Sequence, residues 1–220
     1  MTRNLDIDGL NCLCADCPGN RIIYILYPMD ILAPWIESAA ARYSANIAVI
    51  TGMDWQNVFS PWPAKGIPPG TPDFEGRASE FLGTLRTEVL PAVERMYGIA
   101  AADRTLVGVS MSGLFAMWQW MVCDVFTDLV SLSGSFWYPG FTQWIESQPI
   151  PRKSGRCVLL LGEDEPKSRV TAYRSVGADT RRIENVLTTA GIDVSFIGVP
   201  GNHFSDPTGR LDKALAALGR

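Results

Sequence analysis

The sequence predicts an α/β fold, with a mainly parallel central sheet, helices on both of its faces and no large lid domain. Three observations point to it. Short apolar runs rich in β-branched residues alternate with longer helical patterns along most of the chain, the rhythm of β-α-β units. One of these runs, 105–109, passes directly into a helical pattern at 114–121 through a segment of small residues, Gly108-Val109-Ser110-Met111-Ser112-Gly113. Finally, 220 residues, 47% of them hydrophobic, can bury one sizeable core, and no linker divides residues 1–220 into two domains.

Taken in order, residues 10–15 read as a strand, Cys17-Pro18-Gly19-Asn20 as a turn and residues 21–27 (RIIYILY) as a buried strand, together an antiparallel opening hairpin. A helix then starts near Ile31, with Pro34 in its first turn and Trp35, Ala39 and Tyr43 on one side. Residues 46–51 (NIAVIT) form the next strand. Proline and glycine punctuate residues 56–75 throughout, which marks a loop of the length that usually carries function. Residues 76–97 form a long amphipathic helix with Phe81, Leu82, Leu85, Val89 and Val93 on its apolar side, bent or interrupted ahead of Pro91. After the 105–109 strand and its helix come strands at 128–133 and 156–161. A helix over 168–190, broken at Gly177, stops at Gly191, and the last strand covers 193–199. Asp206-Pro207 caps a closing helix carrying Leu211, Ala214, Leu215 and Leu218.

The balance of charge restricts the partners. A net charge of −4 and a pI near 5.0, with no run of Lys or Arg, give no electrostatic footprint for nucleic acid or anionic lipid. No apolar run approaches a membrane span, and MTRNLDIDGL lacks the apolar core of a secretory signal, so the expectation is a soluble, cytoplasmic protein. Three of the five cysteines crowd into Cys12-Leu13-Cys14-Ala15-Asp16-Cys17. With no second cysteine pair and the lone histidine far away in sequence, they read as small apolar fillers in a reducing compartment, and no metal is expected.

The chemistry concentrates at the end of the 105–109 strand. A serine at a tight strand-to-helix turn, with minimal side chains two residues to either side, is a nucleophile elbow; Gly108 and Ser112 fill those positions, Ser112 standing where the pattern has glycine. The turn lifts Ser110 Oγ clear of the sheet and aims the Met111 N–H at an oxyanion. Ser133 and Ser135 are weaker candidates, because Pro139 and Gly140 follow closely and make a poor helix start. His203 is the only histidine, in the loop after the last strand. A single histidine is more often structural, but here the chain order of an elbow Ser, an acid at a later strand end and a His before the closing helix is that of α/β-hydrolases. For the acid, spacing favours Glu165, with Asp164 next and Glu163 beside them. A carboxylate there would hold the imidazole tautomer and stabilise the imidazolium. Trp55, Phe59, Trp62, Trp137, Tyr138 and Phe204 lie in segments rich in Pro, Gly and Ser and are the candidate walls of a substrate pocket.

The series YILYP, GMDWQNVFSPWPA, DFEGRASEFL, GVSMSGLFA, SLSGSFWYPGF, LLLGEDEPKSR and PGNHFSD resembles the motifs of small bacterial serine esterases related to esterase D and the siderophore trilactone esterases, from about Ile22 to the C-terminus. The resemblance implies an α/β-hydrolase fold, no metal or organic cofactor, and hydrolysis of a small-molecule ester through an acyl-enzyme. It also implies that the backbone N–H of Met29 is the second oxyanion donor; Pro28 stands where many relatives carry Gly. Some of these relatives work mainly as a Ser-His pair. The same acyl-enzyme could serve an acyltransferase or thioesterase, and a non-catalytic binding protein on the same fold is the remaining alternative.

Overall fold

The computed structural model describes residues 2–100, 103–151 and 154–219. Strands β1 (Thr2–Ile7), β2 (Leu10–Ala15) and β3 (Arg21–Leu26) precede helix α1 (Ala33–Tyr43) and strand β4 (Asn46–Thr51). The following loop holds a two-stranded ribbon, β5 (Pro63–Ala64) with β6 (Phe74–Glu75). Helix α2 (Ala78–Thr84) continues through a π-helical turn (Leu85–Val89) into α3 (Leu90–Tyr97). Then come β7 (Asp103–Val109), α4 (Met111–Val122), β8 (Asp128–Leu132), α5 (Phe141–Ser147), β9 (Arg156–Gly162), α6 (Val176–Thr189), β10 (Asp193–Val199) and α7 (Pro207–Ala217).

Eight strands form one sheet in the order β1-β2-β4-β3-β7-β8-β9-β10. Only the β1–β2 and β2–β4 pairs are antiparallel; every later pair is parallel. Alternation along the strands sorts the core into two layers. Ile22, Tyr24 and Leu26 point to the side covered by α2 to α6, while Ile23 and Ile25 point to the side covered by α1 and α7. Each such fully buried side chain contributes about 1.5–3 kcal/mol.

Four readings of the sequence change. The opening hairpin does not join residues 10–15 to 21–27: β2 pairs with β1 and β4, and β3 lies beyond β4. The hairpin turn is Asp8-Gly9, both at positive φ (51° and 82°), the geometry that a two-residue turn between twisted strands demands. Residues 168–190 are not one helix. Two 3₁₀ turns (Glu165–Lys167 and Thr171–Ser175) precede α6, so the break lies ahead of Gly177, whose close approach to Pro166 leaves little room for a Cβ. Helix α5 was not expected; Gly140, at φ 80°, is the residue that starts it. And the 56–75 loop contains the small β5–β6 ribbon. The predicted interruption ahead of Pro91 takes the form of the π turn, a wider turn where a residue without an N–H is accommodated.

Among the described residues no helix is long and apolar enough to cross a membrane. Nor does any group of three or more His, Cys, Asp and Glu among them stand where it could hold a metal ion.

Candidate active site

Strand β7 ends at Val109 and α4 begins at Met111, so one residue, Ser110, makes the whole turn, at φ 55° and ψ −119°. A non-glycine residue in such a conformation costs on the order of 1–3 kcal/mol and persists only where its surroundings enforce it. They do so here. The Ser110 N–H donates to the Leu132 carbonyl at 2.9 Å, and its carbonyl accepts from the N–H groups of Ser135 (3.0 Å) and Leu114 (3.1 Å). A Cβ on Gly108 would collide with the Ser112 backbone. Ser112 is more than small: its Oγ accepts from the Val109 N–H at 2.7 Å and lies 2.9 Å from the carbonyls of both Leu26 and Val109, tying β7 to β3 directly beneath the turn. Small residues also line the approach of β8, where a Cβ on Gly113 would press on Gly134.

His203 stands in the turn between β10 and α7, with its Nδ1 2.9 Å from Glu165 Oε2. An ionised carboxylate only accepts, so Nδ1 carries the hydrogen and a neutral ring presents Nε2 as its basic atom. Glu165 is buried, while Asp164 is exposed and paired with Lys167 at 2.6 Å, and Glu163 is exposed as well. The other Glu165 oxygen, Oε1, receives the Ser133 hydroxyl at 2.6 Å, the Gly162 N–H at 2.7 Å and Arg210 Nη1 at 3.2 Å. Burial pushes the Glu165 carboxyl up. The hydrogen bonds from His203, Ser133 and Gly162, with the charge of His203, outweigh it and hold the group below its ordinary value. Ser110 and His203 border the same two cavities. Among the described residues the hydrogen-bond partner of Ser110 Oγ is Ser135 Oγ at 3.4 Å, and no direct bond joins it to His203; such bonds often tighten only when substrate is bound.

A family model, Esterase, matches residues 26–196, well over half of the chain. The chain belongs to the Esterase family. This esterase-family chain is also similar to the uncharacterized protein YbbA of Bacillus subtilis (strain 168), 23% identical over 162 residues, 71% of this chain and 65% of that protein. It thus spans less than two thirds of that relative's length. Among solved structures it shares the α/β-hydrolase fold of an IroE-like serine hydrolase from Shewanella oneidensis, with a TM-score of 0.76 and 15% identity over 99% of this chain and 79% of the other. The enterobactin esterase FES from Shigella flexneri aligns with a TM-score of 0.77 and 16% identity over 99% of this chain and 59% of that one.

Of the aromatic residues expected as walls in this family member, Trp55 and Phe204 border both cavities and Trp137 borders the larger. Phe59 and Tyr138 are core residues. Trp62 lies behind the wall, where its ring donates to the Pro139 carbonyl at 3.0 Å and its own carbonyl accepts from the Tyr138 hydroxyl. The 56–75 loop faces the larger cavity through Ile67, Thr71 and Phe74 instead. Met111 borders the larger cavity, and Met29, with its side chain exposed, the smaller.

Two residues near Glu165 escaped the sequence reading. Ser133, a rival nucleophile by sequence, donates to Glu165. Arg210, in α7, is buried and reaches Glu165, Ser133 Oγ (2.9 Å) and the Asn202 carbonyl (2.6 Å). A signal existed for Arg210: it stands four and eight residues before Ala214 and Leu218, a cation on the apolar stripe of a helix.

Proposed function

We propose that this protein is a serine esterase that hydrolyses small, soluble carboxylic esters through an acyl-enzyme at Ser110. The observation that carries the reading is the His203 Nδ1 to Glu165 Oε2 bond of 2.9 Å at the mouth of a cavity that Ser110 also borders. His203 Nε2 takes the Ser110 proton as Oγ attacks the ester carbonyl carbon. Glu165 stabilises the imidazolium so formed, and the backbone N–H groups of Met111 and Met29 receive the oxyanion. As the first residue of α4, Met111 has an N–H with no intrahelical acceptor, which leaves it available. One such donor is worth about 10²–10³ in rate. Collapse of the tetrahedral intermediate expels the alcohol, which leaves with the proton from Nε2; water then repeats the sequence on the acyl-enzyme.

Family membership supports ester hydrolysis, and neighbours described as an enterobactin esterase and a siderophore hydrolase of Aspergillus nidulans support it for the fold. A cavity of about 820 Å³ holds a small molecule comfortably. None of the five cysteines is in a disulfide and three are buried, which supports a reducing, cytoplasmic setting. The test is labelling with a fluorophosphonate probe, located by mass spectrometry, alongside turnover of 4-nitrophenyl acetate. The wild type should label at Ser110; Ser110→Ala and His203→Ala should abolish turnover with an unchanged circular dichroism spectrum. Near-wild-type activity in His203→Ala would overturn the reading, since the chain has no other imidazole.

A further inference from the structure

Two cavities meet at Ser110, and their linings differ in kind. The smaller, about 410 Å³, is apolar at its mouth: of the four large apolar side chains exposed among the described residues, Met29, Ile31 and Phe204 border it. The larger contains two cations of its own, Lys167 and Arg169, and a third, Arg210, reaches into the smaller. Lys167 is committed to Asp164 at 2.6 Å, and Arg210 to Glu165 and the Asn202 carbonyl. Arg169 is exposed and, among the described residues, pairs with no carboxylate.

The position of Arg169 is nonetheless built. On one side the Ser168 carbonyl accepts from Arg174 Nε at 2.7 Å, and on the other the Val170 N–H donates to Ser168 Oγ at 3.2 Å. The adjoining wall is fixed too. The Tyr173 hydroxyl donates to the Ile67 carbonyl at 2.7 Å, across to the 56–75 loop, and the Tyr173 and Trp137 rings pack at 4.4 Å. The two carboxylates that border the same cavity, Asp164 and Glu165, each face a cation or the imidazole. Arg169 therefore supplies the unbalanced charge in the larger compartment.

We infer that the larger compartment is an anion-selective subsite in which Arg169 recognises a carboxylate or sulfonate on one flank of the ester, while a compact apolar flank occupies the smaller compartment. This inference rests on the esterase reading above. A guanidinium presents a planar fork that matches either anion with two hydrogen bonds, and the aromatic wall beside it accepts a flat carbon skeleton.

The test compares wild type, Arg169→Gln and Arg169→Glu on pairs of esters matched in shape but not in charge. Phenyl acetate against 4-acetoxybenzenesulfonate puts the charge on the leaving group; 4-nitrophenyl valerate against the mono-4-nitrophenyl ester of glutaric acid puts it on the acyl group. For the charged member of at least one pair, KM should rise about fivefold in Arg169→Gln, the upper range for a solvent-accessible ion pair, and further in Arg169→Glu, with kcat little changed. The neutral member should not respond. The wild-type preference for that charged ester should also shrink as salt is raised, because a solvent-accessible pair is screened. The inference is overturned if the KM ratio of charged to neutral ester is the same in all three enzymes for both pairs. Failure of the esterase reading looks different: no turnover of either neutral ester and no fluorophosphonate label at Ser110.

Discussion

Glu165 accepts hydrogen bonds from four parts of the chain: Ser133 after β8, Gly162 at the end of β9, His203 after β10 and Arg210 in α7. With its carboxyl held below the ordinary value, its stabilising contribution is complete above the unfolded carboxylate pKa of about 4.3 and is lost as pH falls through the depressed folded value. Glu165→Gln is therefore expected to lose less melting temperature than wild type on acidification from about pH 6 to pH 3. The same variant should lower kcat by up to roughly 10⁴-fold, as loss of the orienting acid does in other triads, with Asp164→Asn nearly silent. Comparable small effects for both would indicate a Ser-His pair. Arg210 touches Glu165 and the Asn202 carbonyl, next to His203, and makes no hydrogen bond to Ser110 Oγ; under the proposed mechanism it would be a positioning residue. Arg210→Met leaves a buried carboxylate short of a cation and should cost about 3 kcal/mol in urea unfolding. It should also lower kcat with KM unchanged, and Arg210→Lys should restore part of the rate. A kcat untouched by Arg210→Met would remove the positioning role.

At the level of elements, the strand-to-helix turn depends on a residue that the usual motif lacks. Glycine at 112 could satisfy the close approach of β7 and α4, yet only a hydroxyl there can receive the Val109 N–H and bond toward Leu26 on β3. Ser112→Ala keeps the space and removes both bonds, so a polar group is stranded at a cost of about 1–3 kcal/mol. Ser112→Gly should not rescue it. Both are expected to unfold at lower urea concentration than wild type and to label more slowly with fluorophosphonate; wild-type stability in Ser112→Ala would show that the bonds contribute nothing. The same elements show where local signals and tertiary pairing diverge. Proline and glycine announce a turn at residues 17–20, while the Asp8-Gly9 pair that closes the true hairpin follows a strand, β1, whose apolar residues alternate with polar ones and are few. Helix α5 is only seven residues long and opens on Pro139-Gly140, signals that ordinarily mark a loop.

Across the whole molecule, parallel pairing from β4 to β10 brings the carboxyl ends of β3, β7, β9 and β10 to one edge of the sheet, and Met29, Ser110, Glu165 and His203 follow those four ends. The cavities at that edge are bounded by loops, 3₁₀ turns and the first turns of α4, α6 and α7, and no large lid stands over them among the described residues. A smaller compartment of about 410 Å³ suits a short or compact group rather than a long acyl chain. The expected outcome is that kcat/KM falls along a 4-nitrophenyl ester series from acetate or butyrate to palmitate, and that emulsified triglycerides are poor substrates. A preference for palmitate or for the emulsion would sink this reading of the site.

The α/β class, the strand ends and the chain order of Ser110, Glu165 and His203 were legible in the sequence because each is written in local signals: apolar runs, small residues around a turn, a lone imidazole after the last strand. What those signals cannot express is proximity between residues far apart in the chain. Spacing favours Glu165 over its neighbours Asp164 and Glu163 but carries no reason for one of them to ionise in the interior; burial against Ser133 and Arg210, 32 and 45 residues away, sets Glu165 apart. Likewise Trp62 and Tyr138 read as pocket walls by composition, yet their bond to each other across 76 residues turns them into the support behind the wall. Local chemistry thus determined which elements form and where reactive groups emerge. The packing of β8, β9, β10 and α7 against one another decided which polar groups lose water together, and a buried carboxylate persists only where such donors converge on it.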